Sequence, residues 1–300
     1  MEKLLFTGGT GFLGANAKPL LDTMYEVTTI GITEKDELKA NFVTDIPELP
    51  CKYDIVLHAA GKAHVYPKTE AERKAFYDIN LTGTINLCKA LEKAGCPRSF
   101  IFISTMSVYG SAPGNNDTEE SRELVGDSPY SDSKIKAEEF LTEWSKKNGV
   151  VLTILRPALL AGKNAPGNLG AMVNGIKSGR YLSIAHGKAR KSMLMAEDIA
   201  RLVPLVADKG GVYNVCDTRH PSFGELEALI ASQLGKKAPI SIPYWLAKCA
   251  ALVGEVLGDK FPINNARLAK MTTPSTFSSE KARKELGWEP LDVLENYKIS

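Results

Sequence analysis

The sequence predicts an α/β protein in which a doubly wound parallel sheet is joined to a smaller C-terminal α/β unit. Three observations carry this expectation. A short apolar run at 3–7 leads at once into glycines at 8, 11 and 14, and then into a helix-like run ending near Leu21. Further short apolar runs recur at 26–32, 41–44, 54–58, 100–103 and 150–155, with helix-period segments among them; alternation of strand and helix calls for crossover connections and hence parallel strands. The run at 100–103 is apolar throughout, as a parallel strand covered on both faces must be.

The chain has 300 residues, enough to bury a core without disulfides or metal. Its 37 basic and 35 acidic residues leave a net charge of +2, which argues against broad electrostatic capture of nucleic acid or of an anionic membrane. Any anion site must be local. Five cysteines (Cys51, Cys88, Cys96, Cys216 and Cys249) are scattered, without a CxxC pair, so neither a disulfide framework nor a zinc site is expected. No signal-peptide pattern and no run of 18 apolar residues is present. A cytoplasmic setting is expected, with no metal and no transmembrane segment.

The first strand, 3–7, delivers TGGTGFLG at 7–14. Gly8, Gly11 and Gly14 permit a tight turn, backbone approach to a phosphate and close helix–strand packing, and the helix N-terminus faces the anion. Gly8, Thr10, Gly11, Phe12, Leu13 and Gly14 are therefore candidate dinucleotide contacts. Pro19 should bend the helix that follows. After the second strand, 26–32, an acidic residue would suit a ribose 2′-hydroxyl and an arginine a 2′-phosphate; Gly31, Ile32, Glu34 and Lys35 decide neither. NAD is the expected cofactor, with NADP possible. The third strand, 41–44, ends at Asp45 and Ile46, candidates for adenine contact. The fourth, 54–58, runs into His58, Ala59, Ala60 and Gly61, small enough to pass close to a cofactor, with His58 expected to pack rather than to act as a base.

A helix is expected over 76–91, carrying Asn80. The fifth strand brings Ser104 and Thr105 to the carboxyl end of the sheet, where ligands of open α/β sheets bind. Ser107 follows. In SPYSDSKIKAE at 128–138, Tyr130 and Lys134 stand four apart, which on a helix puts phenol and ammonium on one face about 5–6 Å apart at Cβ. The sixth strand, 150–155, closes with Arg156 and Pro157. Beyond it, 162–170 reads as a loop containing Asn168, and 187–192 is a basic cluster with Arg190 and Lys191 that could hold a diphosphate or be a solvated face. Further on, a helix is expected at 196–206, a strand able to return to the sheet at 211–216, and helices at 222–234 and 243–257. The division expected is 1–160 with 192–218 for the dinucleotide-binding unit, and 161–191 with 219–300 for the substrate-binding unit.

Taken together, TGGTGFLG at 7–14, HAAG at 58–61, NLTGTINL at 80–87, STMSVYG at 104–110, YSDSK at 130–134, LRP at 155–157 and SSEKARKELGWEP at 278–290 resemble the extended short-chain dehydrogenase/reductases, in particular the NAD-dependent epimerase/dehydratase group acting on nucleotide sugars. The resemblance spans nearly the whole chain and implies a Rossmann fold. It implies that Thr105, Tyr130 and Lys134 are catalytic, with Thr105 on the sugar oxygen, Tyr130 as acid/base, and Lys134 favouring the phenolate and holding the nicotinamide ribose. Ser104, Asn80 and Pro157 would lie against the cofactor, and Ser107, Asn168, Arg190 and Lys191 against the substrate. Where 4,6-dehydratases of the group carry Asp and Glu, this chain has Met106 and Ser107, which argues against elimination of water. RPALLAG at 156–162 lacks the Asn of many galactose epimerases, and with HAAGKAHV at 58–65 and GKARKS at 187–192 it points to a surface-polysaccharide branch working at C4 of UDP-N-acetylhexosamines. A UDP-sugar 4-epimerase is the reading this implies; a 4-keto-sugar reductase and a catalytically silent NAD(P) sensor are its rivals. A homodimer through the helix after NLTGT and the Tyr/Lys helix is also implied.

Overall fold

A computed structural model describes residues 1–63, 67–110, 117–257 and 263–299. Histidine 64 and valine 65 of the HAAGKAHV stretch lie outside them. The chain runs β1 (Lys3–Thr7), α1 (Phe12–Leu21), β2 (Glu26–Gly31), β3 (Leu38–Lys39), β4 (Ile55–His58), α2 (Glu70–Tyr77), a π-helical turn (Asp78–Thr82), α3 (Gly83–Ala94), β5 (Ser99–Ile103), a 3-10 turn (Met106–Tyr109), α4 (Pro129–Asn148) and β6 (Val151–Pro157). It continues through β7 (Leu159–Ala161), α5 (Gly167–Lys177), β8 (Leu182–Ile184), β9 (Met193–Met195), α6 (Asp198–Val206), β10 (Gly211–Val215), α7 (Phe223–Gln233), β11 (Ile240–Ile242), α8 (Tyr244–Leu257), α9 (Asn265–Thr272), α10 (Glu280–Leu286) and α11 (Val293–Asn296).

Seven of the described strands form one sheet in the order β10-β6-β5-β4-β1-β2-β3, parallel at every pairing. The order reverses at β1, which is flanked by β2 and β4, so the crevice at the carboxyl end of β1 is where an open α/β sheet takes its ligand. Alternate residues of β1 feed opposite layers. Leu4 and Phe6 pack with α1 and α6, whereas Leu5 joins Leu87, Leu91, Leu141 and Trp144 beneath α3 and α4. Both faces are therefore covered, which is why these strands are apolar rather than alternating.

Outside the sheet, α5, α7, α11, β7 and β9 share one apolar cluster, and β8, β11, α8 and α9 share a smaller one. Helix α10 returns to the main sheet, where Lys281 Nζ donates to the Val212 carbonyl of the edge strand β10 at 2.8 Å.

Three local expectations need correction. The third strand is Leu38–Lys39 rather than 41–44, because the Asn41 side chain accepts the Val43 N–H at 3.1 Å and its carbonyl takes the Thr44 and Asp45 N–H groups, folding the chain into a turn. The helix read at 76–91 starts earlier and is not uniform: Thr69 and Glu72 form a capping box that starts α2, and a π-helical turn separates it from α3. The stretch 162–170 is only partly loop, since α5 begins at Gly167 after Pro166. Helix α1 is unbroken through Pro19, which lies two residues from its end.

Candidate active site

Helix α4 is set by local chemistry at both ends. Ser128 Oγ accepts the Ser131 N–H at 3.2 Å, Ser131 Oγ accepts the Ser128 N–H at 3.0 Å, and Pro129 occupies the first turn. Gly149 ends the helix in the left-handed conformation, φ 65°. This fixes the direction of a stripe spaced four residues apart: Tyr130, Lys134 and Glu138.

Tyr130 is half-buried, with the Thr105 side chain near enough to its phenol to favour the ionised form. Burial raises its phenol above the ordinary tyrosine value, and the Thr105 contact partly opposes that rise. Thr105 is buried at the end of β5, and its hydroxyl accepts the Ser107 N–H at 3.1 Å, capping the 3-10 turn. The Lys134 ammonium is buried, donates to the Ile103 carbonyl at 2.8 Å and lies 4.5 Å from the Phe102 ring centre. Burial lowers it to about 8, with Glu138 pulling the other way.

Below this pair is a polar network absent from the sequence-level reading. Ser104 Oγ donates to Glu138 Oε1; Arg156 holds both Glu138 oxygens, at 3.2 and 2.5 Å. Arg156 also donates to Tyr109 OH at 2.8 Å, and Tyr109 donates to Asn214 Oδ1 at 2.8 Å. The i,i+4 step from Lys134 to Glu138 was visible in the sequence; the partner on β6 was not, because strand neighbours come from the sheet order.

Gly8 has φ 74°, and a Cβ there would sit 2.8 Å from the Ala60 nitrogen; a Cβ on Gly14 would sit 2.0 Å from the Gly9 carbonyl oxygen. The turn thus presses against Ala59 and Ala60 on one side and α1 on the other. Gly11 caps α1 without a side chain, which presents Phe12, Leu13 and Gly14 at the bare N-terminus of the helix. His58 is buried with Nδ1 2.6 Å from Thr7 Oγ1 and Nε2 2.9 Å from Thr84 Oγ1; burial, helped by Lys134, lowers it to about 3. It is a neutral strut between β4 and α3. Asn80 is equally structural: its amide bonds the Lys62 backbone on both sides and donates to Ser133 Oγ at 2.9 Å, and a Cβ on Gly61 would meet its Oδ1 at 3.0 Å.

Asp36 is the residue that sequence reasoning missed beside β2. One carboxylate oxygen accepts from the Thr33 N–H at 3.0 Å, Thr33 Oγ1 at 2.8 Å and Thr10 Oγ1 at 3.3 Å; the other, Oδ1, is buried and lacks a hydrogen-bond partner. Gly31 makes room for it, since a Cβ there would sit 2.7 Å from Asp36 Oδ2. The intervening turn at 32–35 hid this acid from any fixed spacing rule. Asp45 and Ile46 lie on an exposed loop, and Pro157 is buried at the end of β6.

Ser107 is exposed next to Thr105, and Asn168 is exposed in the first turn of α5. Arg190 donates to the His220 carbonyl at 3.0 Å and lies 3.6 Å from Glu225. Lys191 donates to the Thr273 carbonyl at 2.8 Å, and burial with the neighbouring Lys270 lowers it to about 8. These three stand on elements apart from the Tyr130 cluster. The next residue ties the segment inward: Ser192 Oγ accepts the Phe277 N–H at 2.9 Å, and Phe277 packs on Met106, Val108 and Tyr109.

A parallel sheet with its switch point at a glycine turn is the architecture of a dinucleotide-binding protein, and the Tyr/Lys helix stands beside the neighbouring strand end. The chain belongs to the NAD-dependent epimerase/dehydratase family, whose sequence pattern matches residues 4–216. It is 27% identical to an N-acetyl-α-D-glucosaminyl-diphospho-ditrans,octacis-undecaprenol 4-epimerase of Escherichia coli O157:H7, over 93% of this chain and 88% of the relative. It is 28% identical to a UDP-glucose 4-epimerase of Vibrio cholerae, over 98% of this chain and 92% of the relative. Among solved structures, the UDP-glucose 4-epimerase of Thermotoga maritima with UDP-glucose superposes with a TM-score of 0.75 at 22% identity, covering 98% of this chain and 95% of that one. At that identity the likeness speaks for the fold.

Proposed function

We propose that this chain is an NAD-dependent 4-epimerase of a hexose or N-acetylhexosamine carried on a diphosphate, with a UDP-sugar as the leading substrate. The observation that carries the reading is the placement of the Tyr130 phenol beside the Thr105 hydroxyl just past the carboxyl end of β5, one helical turn from buried Lys134.

The residues present fit a dinucleotide. The uncapped start of α1 suits a pyrophosphate, and the orphaned Asp36 Oδ1 suits a ribose hydroxyl while its charge opposes a 2′-phosphate, which favours NAD over NADP. Bound at this turn, the nicotinamide would supply the place where C4 hydride is deposited and recovered and, when oxidised, a positive charge beside the phenol. Tyr130 would take the proton of the sugar 4-hydroxyl as the carbonyl forms and return it when the opposite face is reduced. Its raised phenol is protonated at neutral pH, so ionisation depends on nearby positive charge, and Lys134 is the protein's own cation closest in sequence on that face. Thr105 would orient the same oxygen. Lys134, held by the Ile103 carbonyl and the Phe102 ring, would meet the nicotinamide ribose, and Arg190 and Lys191 would receive the diphosphate. Met106 and Ser107 add no acid or base, in keeping with epimerisation rather than elimination.

A second reading, a lipid-linked sugar diphosphate as substrate, is favoured by the E. coli relative. Incubating the protein with UDP-glucose and UDP-N-acetylglucosamine, without added cofactor, and following the 4-epimers by NMR tests the first. Interconversion abolished by Tyr130→Phe is expected. Turnover only with a 4-keto sugar and consumption of NAD(P)H would replace it with a reductase. A homodimer is part of the proposal: α3 and α4 leave a groove of about 310 Å³ in which Ile85, Cys88, Phe140 and Trp144 alternate with the charged Lys89, Glu92, Glu143 and Lys147, and the same helices of a second copy would pack there. A monomeric mass in light scattering would remove it.

A further inference from the structure

Helix α8 is packed in an inverted sense. Its small residues Ala247, Ala251 and Gly254 are buried, against Ile184 and Leu268. Its large ones face solvent: Trp245 is 67% exposed, and Tyr244, Leu246, Leu252, Val253 and Leu257 are between 43% and 57% exposed. A helix placed only to complete a core would bury the large side chains. The neighbouring two-stranded ribbon extends the same character, since Ile240 and Leu182 are directly paired and are 75% and 50% exposed. An apolar surface of this size on one small unit marks an interaction site.

The charge around it is predominantly positive, with Glu255 the one acid on α8. Residues 177–195, which lead into and out of β8, contain five cations and no Asp or Glu; residues 235–254, which supply β11 and most of α8, contain three cations and no Asp or Glu. The whole chain, by contrast, is nearly neutral at +2. Lys177, Arg180, Lys188, Lys236 and Lys237 are all exposed. The one acid on α8, Glu255, accepts the Asn265 N–H at 2.9 Å. An isologous contact with a second copy would bring two such cationic rims together, which opposes self-association here. Tyr and Trp at the start of an amphipathic helix, with leucine and valine behind and lysines at the margin, instead match the interface of an anionic bilayer.

We infer that α8 and the β8–β11 ribbon form a peripheral docking surface for an anionic lipid bilayer. The helix lies in the plane of the interface; among the described residues no helix is long and apolar enough to cross a membrane. The 3-10 turn at Ala185–Gly187 touches β11 and leads directly to Arg190 and Lys191, so docking brings that basic segment near the lipid surface. This surface stands whether the sugar is carried by a nucleotide or by a lipid.

Tryptophan fluorescence tests it directly. Of three tryptophans, Trp144 and Trp288 are buried, so Trp245 alone can respond to a new environment. The full chain is titrated with phosphatidylcholine vesicles and with vesicles containing phosphatidylglycerol, and binding is checked by co-sedimentation. Expected are a blue shift and sedimentation with the anionic vesicles, lost in Trp245→Ser/Leu252→Ser and weakened at least tenfold in Lys236→Glu/Lys237→Glu, at about 1 kcal/mol per cation near the surface. Both variants should melt with the wild type, because the altered side chains are exposed. Absence of binding to anionic vesicles, or undiminished binding by Trp245→Ser/Leu252→Ser, would overturn the inference. So would a fall in mass by light scattering in that variant, which would mean that a second copy covers the face, or a lowered melting temperature, which would mean that the residues belong to the core.

Discussion

Lys134→Met separates what the buried ammonium does for the site from what it costs the fold. In the native state the Lys134 group is lowered from 10.5 to about 8, chiefly because burial disfavours its charge. That difference corresponds to about 3 kcal/mol. The sign follows from proton counting. Below about pH 8 both folded and unfolded chains hold the proton, and the folded state bears the full cost of the buried cation. Between about pH 8 and 10.5 the folded chain releases it while the unfolded chain keeps it, so wild-type stability rises with pH through this window, as far as this group is concerned. Met removes the charge but also the hydrogen bond to the Ile103 carbonyl, worth about 1 kcal/mol. The variant should therefore be about 2 kcal/mol more stable than the wild type near pH 7, and that advantage should vanish at about pH 10 and reverse above it, where only the lost hydrogen bond remains. Urea unfolding of the cofactor-free proteins at several pH values measures the gap, in which the titration of shared groups cancels. Epimerisation by the variant should fall by about 10²- to 10⁴-fold, the usual weight of a proton-transfer group. A variant less stable at neutral pH, or a gap that does not change with pH, would refute the account of Lys134 as a cation held at a cost in stability.

Glu138→Ala leaves Arg156 buried with Tyr109 as its remaining side-chain partner, and should cost about 3–5 kcal/mol in urea unfolding. Adding Arg156→Met should restore part of this, and a double variant worse than the sum of its parts would contradict the pairing. Asp36→Ser should weaken NAD binding and improve NADP binding by isothermal titration, because it removes the charge that opposes a 2′-phosphate; unchanged preference would exclude Asp36 from ribose recognition. Gly8→Val should abolish dinucleotide binding and lower stability, since φ 74° is unfavourable for a β-branched residue and its Cβ would lie 2.8 Å from the Ala60 nitrogen. Thermal melting with and without NAD checks both halves of that expectation.

What the sequence made legible was local, and what it hid was brought together across the sheet. The glycine turn, the Ser128 start of α4 and the Tyr130/Lys134 spacing could be read because each is written within a few consecutive residues. The third strand could not, because Asn41 uses its side chain to fold a β-branched stretch into a turn, overriding a strand pattern. Asp36 escaped because its carboxylate reaches back over a four-residue turn to Thr10 and Gly31. Glu138 shows the limit most clearly. It continues the i,i+4 row of α4, but its meaning depends on β6 lying beside β5, which brings Arg156 to within 2.5 Å. With that partner in place the row has a gradient of roles. Tyr130 stands at the opening of the site with Thr105, Lys134 is buried one turn deeper as a cation facing Ile103, and Glu138 is neutralised a turn below by Arg156. Burial holds the Lys134 ammonium at about 8 against the opposing pull of Glu138, whose carboxylate is itself paired with Arg156. The three side chains of α4 are therefore best treated as one electrostatic unit, whose outer end is the Tyr130 phenol beside Thr105 and whose inner end is closed by the sheet.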